Sequence, residues 1–279
     1  MRILVTGAKG MLGTDLCSLL TLEHAVIGID IDDFDITHSD TPDRIVSFSP
    51  NIVLHLAAYT DVNGCERNPE KAYLVNALGT RQVALGCQQC QIPMLYISTD
   101  FVFDGEKKEA YYEWDEPNPL NHYGHSKLAG ENYIKHFLSQ FFIVRTSWLF
   151  GKHGKNFVDT ILRKAKKGAK ISVVNDQRGS PTYTKDLAIA ISQLIESKLY
   201  GIYHISNSGN CSWYEFAKKI MEFVEIQGVK IVPVSSAEYP SPTRRPAFSV
   251  LRNFCWEKFS GNLLRPWEEA LKDYLEKGK

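Results

Sequence analysis

Met1-Arg-Ile-Leu-Val-Thr-Gly-Ala-Lys-Gly-Met-Leu-Gly13 opens the chain and decides its fold. The apolar run at residues 3–5 predicts a buried parallel strand, because strands covered on both faces are continuously hydrophobic. A helix is predicted at residues 15–20, and between strand and helix lie three regularly spaced glycines, Gly7, Gly10 and Gly13. Glycines at this spacing permit a tight turn, close approach of a pyrophosphate and close helix–strand packing. The stretch therefore predicts a phosphate-binding loop at a helix N-terminus.

A second apolar segment, residues 25–29, predicts the next strand and ends at Asp30. An acidic side chain at this point is suited to hydrogen-bond the hydroxyl groups of an adenosine ribose. The alternative interpretation is an ordinary loop acid, because Asp32 and Asp33 follow in the same turn. Together, the glycine loop and Asp30 favour a dinucleotide-binding site.

Five apolar segments predict strands with helical patterns between them, at residues 3–5, 25–29, 52–56, 94–97 and 142–145. This alternation predicts an α/β fold with a Rossmann-type doubly wound parallel sheet covered on both faces. Ligands of such sheets bind beyond the carboxyl ends of the strands. The glycine loop, Ala57-Ala58 and Ser98-Thr99 all follow strand ends, so we expect them to meet in one crevice.

After Arg145 the pattern is more broken and predicts a smaller, discontinuous α+β domain that binds the substrate. A helix is predicted at 184–197 and a strand at 201–206. We therefore predict a dinucleotide-binding domain of residues 1–150 plus about 184–206. The substrate-binding domain takes residues of about 151–183 plus 207–279, and its proline-rich segment 239–246 predicts a loop that closes over the substrate.

Composition narrows the classes of function. Lys+Arg and Asp+Glu are both 32 among 279 residues, so no net field recruits nucleic acid or an anionic membrane. No apolar run approaches the roughly 20 residues that span a bilayer, and the N-terminus is predicted to be a core strand rather than a signal peptide. We expect a cytoplasmic enzyme that is a monomer or a homodimer.

Cys87-Gln-Gln-Cys90 has the spacing of a redox pair or half a zinc site. No second Cys/His pair lies at a matching spacing, and residues 79–91 predict a helix packed on the sheet, so we expect structural roles for both thiols. The six cysteines are expected to be reduced. His122 and His125 form no ligand set, and no metal is expected.

Tyr123-Gly-His-Ser-Lys127 places a phenol and an ammonium about one helical turn apart, at the start of a helix predicted through residues 126–137. A neighbouring ammonium can lower the pKa of a phenol from its usual value of roughly 10. The pair can then exchange a proton with a carbonyl group or an alcohol. Alone the spacing is common on helix faces, but here it lies downstream of a dinucleotide-binding loop.

Further motifs occur in a fixed order: Ala57-Ala-Tyr-Thr-Asp-Val62, Asn76, Ser98-Thr-Asp-Phe-Val-Phe-Asp-Gly105, Pro119-Leu-Asn-His-Tyr-Gly-His-Ser-Lys-Leu-Ala-Gly-Glu131, Arg145-Thr-Ser-Trp148, Gly179-Ser-Pro-Thr182 and Arg245-Pro-Ala-Phe-Ser-Val-Leu251. With the glycine loop, they resemble the dTDP-4-dehydrorhamnose reductase family, in the extended branch of the short-chain dehydrogenase/reductase superfamily. Asn63 and Gly64 depart from the Asp-Lys usual after the first of these motifs, so contacts at that point stay open.

The resemblance implies that the strand at 201–206 returns to the main sheet. It also implies a catalytic set and a substrate site. Tyr123 would protonate a ketone oxygen as hydride arrives at the carbon, and Lys127 would also hydrogen-bond the nicotinamide ribose. Thr99 would polarise the carbonyl group. Oriented donors around a developing alkoxide are a large electrostatic contribution to catalysis. The residues implied to contact a nucleotide-sugar substrate are Thr99, Asp100, Tyr123, Trp148 and Arg245.

The resemblance also implies the cofactor contacts. Gly7, Gly10, Met11, Leu12 and Gly13 would hold the pyrophosphate, Asp30 the ribose, and Asp35 and Ile36 the adenine side. Further contacts would come from Ala57, Ala58, Tyr59, Asn76, Ser98, Tyr123 and Lys127.

Asp30, Asp32 and Asp33 disfavour the 2′-phosphate of NADPH, because like charges repel. Lys9 is a nearby cation in the glycine loop. We therefore expect dual use of the two cofactors, with NADH used at least as well as NADPH.

Three functions stay open on the sequence. The implied one is reduction of the 4-keto group of dTDP-4-dehydro-L-rhamnose with NADH or NADPH, for cell-envelope polysaccharide. The second is another nucleotide-sugar 4-ketoreductase or an epimerase. The third is a non-catalytic regulatory subunit, as a relative of this family binds methionine adenosyltransferase; Thr99, Tyr123 and Lys127 argue against it.

Overall fold

The computed structural model describes residues 1–168, 170–226, 228–239 and 241–277. The strands are β1 (Arg2–Thr6), β2 (Ala25–Ile29), β3 (Ile52–His55), β4 (Met94–Thr99), β5 (Phe141–Thr146), β6 (Leu149–Phe150), β7 (Ile171–Val174), β8 (Arg178–Gly179), β9 (Thr182–Tyr183), β10 (Gly201–His204), β11 (Cys211–Ser212) and β12 (Ile231–Val234). The α-helices are α1 (Met11–Leu20), α2 (Thr41–Phe48), α3 (Val62–Arg67), α4 (Pro69–Tyr73), α5 (Thr80–Cys90), α6 (His122–Phe137), α7 (Phe157–Ala165), α8 (Thr184–Ser197), α9 (Trp213–Val224), α10 (Phe254–Ser260) and α11 (Trp267–Lys277). A π-helix spans Leu74–Gly79, and a 3-10 turn spans Asp100–Val102.

Six strands form one parallel sheet in the order β10-β5-β4-β3-β1-β2. The predicted Rossmann-type doubly wound sheet is confirmed. The chain winds outward from β1 in one direction to β2 and in the other through β3, β4 and β5 to β10. The winding direction reverses between β1 and β3, and such a switch point opens a crevice at the carboxyl ends of the strands.

Helices cover both faces of this sheet. On one face, α1 and α8 pack against it through a buried core that includes Leu16, Leu20 and Ile191. On the other face, α2, α5 and α6 bury Ile45, Val83 and Ile134. Because both faces are covered, the central strands carry apolar side chains at successive positions.

A second unit of short strands and helices has its own core. β7 pairs in parallel with β12, β6 with β9, and β8 antiparallel with β11. Helices α7, α9 and α11 enclose a core of aromatic and aliphatic residues that includes Phe150, Tyr183 and Phe216. This unit has the predicted α+β character.

The predicted domain limits can be compared with these cores. α8 packs on α1, and β10 pairs with β5, which places residues 184–204 with the main sheet. Trp256 of α10 also packs in the core of the main sheet, although it lies within the range assigned to the smaller domain. The division into cofactor and substrate domains stays a prediction. Five residues of the predicted substrate-binding domain lie outside the described residues: Ala169, Gln227, Pro240, Gly278 and Lys279.

Helix α6 begins four residues before its predicted start, because a side chain caps it. Asn121 has extended backbone angles, and its Oδ1 accepts a hydrogen bond of 2.9 Å from the Gly124 N–H. Capping of this kind satisfies an amide at the helix end. Tyr123 and Lys127 therefore both lie on regular helix.

The helix predicted at 79–91 is α5, and Cys87 of the CxxC pair is buried in it while Cys90 is half-buried. Burial raises the pKa of both thiols, which disfavours the reactive thiolate. Within the described ranges, no helix combines the length and apolarity needed to cross a membrane.

Candidate active site

A cleft of about 1010 Å³ lies at the carboxyl ends of the parallel strands. The glycine loop and the ends of β2 and β3 line one part of it. The end of β4, the first turns of α6 and two tryptophans of the second unit line the other. Its volume is at the upper end of the roughly 300–1,000 Å³ that is common for ligand sites. A cleft of this size has room for two ligands bound side by side.

The glycine loop is built for backbone contact. Gly7 has a φ of +73°, and a Cβ there would lie 2.7 Å from the Ala57 amide nitrogen. A Cβ on Gly13 would lie 2.2 Å from the Gly7 carbonyl oxygen. α1 begins after Gly10, which has no side chain to cap it, and its first turn holds no acidic residue. The N–H groups of this turn suit a pyrophosphate.

Asp30 binds the protein backbone as well as lining the cleft. Its carboxylate accepts the Lys9 N–H at 2.9 Å and the Ile31 N–H at 2.8 Å. The Lys9 ammonium is paired with Asp32 at 3.3 Å and Asp33 at 3.5 Å. Asp30 thus ties the glycine loop to the end of β2, a role that the sequence did not indicate.

The cleft beyond Asp30 is apolar. Phe34 and Ile36 are buried and line it next to Asp35. The Arg44 guanidinium lies 4.3 Å from the centre of the Phe34 ring and supports it from behind. A flat aromatic ligand group fits such a slot, and the contact of Asp35 and Ile36 with adenine stays a prediction.

Ala57 and Ala58 line the cleft, but Tyr59 is turned away from it. The Asn76 side chain accepts the Tyr59 N–H at 2.7 Å and donates to its carbonyl oxygen at 3.1 Å. The Tyr59 ring instead packs beneath the Lys71 ammonium, 4.8 Å from the ring centre. Asn76 is fully buried, so both residues support the wall of the cleft from behind.

Thr99 and Tyr123 lie together where β4 ends and α6 begins. The Thr99 hydroxyl donates to Asp100 Oδ1 at 3.1 Å and accepts the Phe101 N–H at 3.1 Å. Burial raises the pKa of the Tyr123 phenol, the Thr99 hydroxyl opposes this, and the Asp100 charge adds to it. The phenol therefore carries its proton at neutral pH and can act as an acid.

Lys127 is 3% exposed, and its ammonium lies 4.0 Å from the centre of the Tyr96 ring. Burial lowers the pKa of Lys127 to about 7, and the Glu131 carboxylate opposes this. The influences on the pKa of Tyr123 are burial, Thr99, Asp100 and the thiol of Cys65. Lys127 is not among these influences, so its predicted lowering of the Tyr123 pKa stays a prediction.

Ser98 and Asp100 both line the cleft. The Ser98 hydroxyl, which was expected to face a cofactor, donates to Glu131 Oε1 at 2.6 Å, and its contact with the cofactor stays a prediction. Asp100 is buried and accepts hydrogen bonds from Thr99 and, at 2.5 Å, from Ser249. Burial raises the pKa of Asp100 to about 7, and these hydrogen bonds oppose the rise.

Trp148 stacks on Trp213 at the far side of the cleft, with ring centroids 3.5 Å apart and planes within 6°. Trp148 has a φ of +48°, in the left-handed region that non-glycine residues rarely adopt. A Cβ on Gly179 would lie 2.5 Å from its indole ring. The sequence did not identify Trp213 as a residue of the cleft, because no local pattern reveals a stack between residues so far apart in the chain.

Arg245 lines the cleft as well. Burial lowers the pKa of its guanidinium, and its Nε has no hydrogen-bond partner among the described residues. The loop that carries it is fastened at two points. Thr243 donates to Asn63 Oδ1 at 3.0 Å, and Asn121 Nδ2 donates to the Arg244 carbonyl oxygen at 2.9 Å. Asn63, a departure from the family pattern, thus holds this loop.

The family model described as RmlD substrate binding domain matches residues 1–279. A dTDP-4-dehydrorhamnose reductase of Bacillus anthracis, solved in complex with NADP, is 43% identical, with a TM-score of 0.95 over 99% of both chains. A dTDP-4-dehydrorhamnose reductase of Clostridium acetobutylicum is 41% identical, with a TM-score of 0.96 over 99% of both chains. The spore coat polysaccharide biosynthesis protein SpsK of Bacillus subtilis is 42% identical over 99% of this chain and 97% of its own.

The chain belongs to the dTDP-4-dehydrorhamnose reductase family. In this member of the family, the glycine loop and the first turns of α6 line one cleft, and Trp148 and Trp213 line it from the second unit. The roles of the individual residues stay predictions.

The tryptophan stack allows a first prediction. Trp213→Ala is expected to lower the free energy of unfolding by about 2 kcal/mol, because it exposes apolar surface and removes an aromatic contact. It should also abolish the exciton couplet of the stacked indoles in circular dichroism. Trp114→Ala is the control, since that side chain is 62% exposed. An unchanged couplet in Trp213→Ala would contradict the stack.

Proposed function

We propose that this chain reduces the 4-keto group of dTDP-4-dehydro-L-rhamnose to give dTDP-L-rhamnose, with NADH or NADPH as the reductant, for cell-envelope polysaccharide. The observation that carries the proposal is the position of Thr99, Tyr123 and Lys127. They meet in the cleft at the carboxyl end of β4, opposite a glycine loop that suits a dinucleotide. Membership of the reductase family supports the same reaction.

The residues present fit a nicotinamide dinucleotide. The bare N-terminus of α1 and the glycine loop would hold the pyrophosphate. Asp30 would bind the adenosine ribose, and the slot at Phe34 and Ile36 would take the adenine. When bound, the reduced nicotinamide supplies a hydride.

Tyr123 is the proton donor in this proposal. Its phenol stays protonated at neutral pH, because burial raises its pKa. Transfer of that proton to the ketone oxygen neutralises the charge that develops there as the carbon is reduced. Lys127, one turn further along α6, would bind the nicotinamide ribose through its ammonium.

Thr99 and Asp100 form a second donor to the ketone. The Thr99 hydroxyl donates to the Asp100 carboxylate when that group is ionised. Because burial raises the pKa of Asp100 to about 7, a protonated Asp100 is accessible near neutral pH. A protonated Asp100 can donate to Thr99 Oγ1, which frees the Thr99 hydrogen for the ketone oxygen.

In this proposal, the substrate binds against residues of the second unit. Arg245 is a half-buried cation whose Nε has no hydrogen-bond partner among the described residues, and a diphosphate accepts such bonds well. The Trp148 indole presents a rigid wall to the same space. The cytoplasmic location and the monomeric or dimeric state stay predictions.

The function is tested by turnover with a panel of nucleotide 4-keto-6-deoxysugars, followed by the loss of reduced-nicotinamide absorbance. We expect dTDP-4-dehydro-L-rhamnose to give the highest kcat/KM and dTDP-L-rhamnose as the product. Faster reduction of another sugar would assign a different nucleotide-sugar 4-ketoreductase. Interconversion of sugars without net cofactor oxidation would indicate an epimerase. Turnover of none would favour a regulatory subunit.

Tyr123→Phe is expected to lower kcat by about 10²–10⁴-fold, the usual contribution of general acid catalysis. Cofactor Kd should change little, because the phenyl ring is kept. Tyr133→Phe on the same helix is the matched control and should retain wild-type kcat. Lys127→Ala should differ from both by raising the cofactor Kd as well. A folded Tyr123→Phe variant with near wild-type kcat would remove the acid assignment.

Asp30 allows a prediction about the cofactor. We expect NADH to be used at least as well as NADPH by the wild type, measured as kcat/KM for each. Asp30→Asn removes the charge but keeps an acceptor for the Lys9 N–H, so it should shift preference toward NADPH. Asp30→Ala should produce the same shift and also raise KM for both cofactors, since the glycine loop loses the hydrogen bond from the Lys9 N–H to Asp30.

Lys9→Ala is the complementary variant and should lower kcat/KM for NADPH more than for NADH. A wild-type preference for NADPH of more than roughly tenfold, about 1.4 kcal/mol, would show that another residue supplies the phosphate site. That result would refute the role of Asp30 without affecting the reductase assignment.

A further inference from the structure

Behind the catalytic face of α6 lies a buried ion pair. Glu131 is fully buried, and Arg145 is 1% exposed. Arg145 Nε donates to Glu131 Oε1 at 3.0 Å, and Arg145 Nη2 donates to Oε2 at 2.7 Å. A bidentate pair of this kind fixes both position and orientation of the two side chains.

The pair connects three elements of the fold. Glu131 lies on α6, Arg145 on β5, and Ser98 on β4 donates to Glu131 Oε1 at 2.6 Å. Ser98 and Arg145 are direct neighbours across the β4–β5 ladder. Thr99 is the residue after Ser98. The carboxylate therefore joins the helix that carries Tyr123 to the strand end that carries Thr99.

Glu131 also lies next to Lys127. Tyr123, Lys127 and Glu131 are spaced by four residues each, so they share one face of α6. Lys127 is buried, and an isolated buried ammonium loses much of its hydration energy. The groups that face Lys127 are His55 on β3, Cys65 on α3, Tyr96 on β4 and Glu131 on α6.

These groups differ in the charge that they place next to the Lys127 ammonium. His55 is held neutral, because burial lowers its pKa to about 3, and the charge of Lys127 contributes. Burial likewise keeps Tyr96 and Cys65 protonated by raising the pKa of each. Glu131 is the carboxylate among them, and it acts against the lowering of the Lys127 pKa by burial.

We propose that Glu131, held between Arg145 and Ser98, is a positioning residue of the reductase: it fixes the Tyr123–Lys127 face of α6 on β4 and β5 and balances the Lys127 ammonium. The inference rests on the proposed function for its kinetic readout. It assigns Glu131 no contact with substrate or cofactor.

The sign of the pH effect follows from the geometry. The Lys127 ammonium is lost as pH rises through the pKa of Lys127. Glu131 raises that pKa, so Glu131→Gln moves the loss to lower pH. The expected shift of the alkaline limb of kcat/KM is about one pH unit or more, which lowers kcat/KM about tenfold on that limb. NADH Kd, measured by nicotinamide fluorescence over the same pH range, should rise at correspondingly lower pH.

A control separates this effect from loss of stability. Asp186 accepts Arg265 Nε and Nη2, each at 2.8 Å, in the same bidentate geometry but on α8. Asp186→Asn should lower Tm while leaving the pH profile and NADH Kd of the wild type. Should Glu131→Gln not fold, the pair can be replaced by apolar groups in a Glu131→Leu, Arg145→Met variant, since such exchanges are often tolerated. This variant should fold and shift the alkaline limb in the same direction by less than Glu131→Gln does, because the loss of the Arg145 cation offsets part of the loss of the carboxylate.

A folded Glu131→Gln or double variant with wild-type pH dependence of both kcat/KM and NADH Kd would overturn the inference. An equal shift in Asp186→Asn would do the same, because the effect would then reflect general loosening. If the wild type reduces no sugar of the panel, the proposed function fails. The pH dependence of NADH Kd would still decide the role of Glu131.

Discussion

The close packing of α6 against the sheet is the constraint on which the site depends. A Cβ on Gly124 would lie 2.1 Å from the Phe101 carbonyl oxygen, and one on Gly130 would lie 2.6 Å from that of Asn76. These two glycines let the helix backbone touch the β4 exit at one end and the π-helix at the other. Tyr123 immediately precedes the first of these contacts and Lys127 lies between the two, so their distance from Thr99 is set by backbone packing. The Glu131–Arg145 pair then fixes the helix at its next turn.

Much of the fold and of the cleft was predictable, because the signals are local. The glycine spacing, the alternation of apolar strands and helices, and the position of Asp30 each depend on a few neighbouring residues. The same holds for Tyr123 and Lys127, whose spacing sets a common helix face. Parallel strands then bring these segments to one edge without further information.

The rest depends on contacts between distant segments, which a single sequence does not reveal. Ser98 lines the cleft as expected of a strand end, but its hydrogen bond to the Glu131 carboxylate on α6 was not predicted. Tyr59 was expected at the dinucleotide, but Asn76 turns its backbone inward from a π-helix, an irregularity with no sequence signature. The stack of Trp213 on Trp148 joins two segments of the second unit. Each outcome was decided by a partner far along the chain.

The placement of Trp148, Trp213 and Arg245 has an evolutionary consequence. The groups assigned to proton transfer and to the dinucleotide lie on the main sheet, its helices and the loops at its strand ends, whereas Trp148 and Arg245 lie on loops after β5 and Trp213 begins α9. Selection can therefore remodel this wall of the cleft by substitutions after β5 while the groups assigned to proton transfer stay intact. A scaffold divided in this way can diversify among related sugars through a small number of mutational steps.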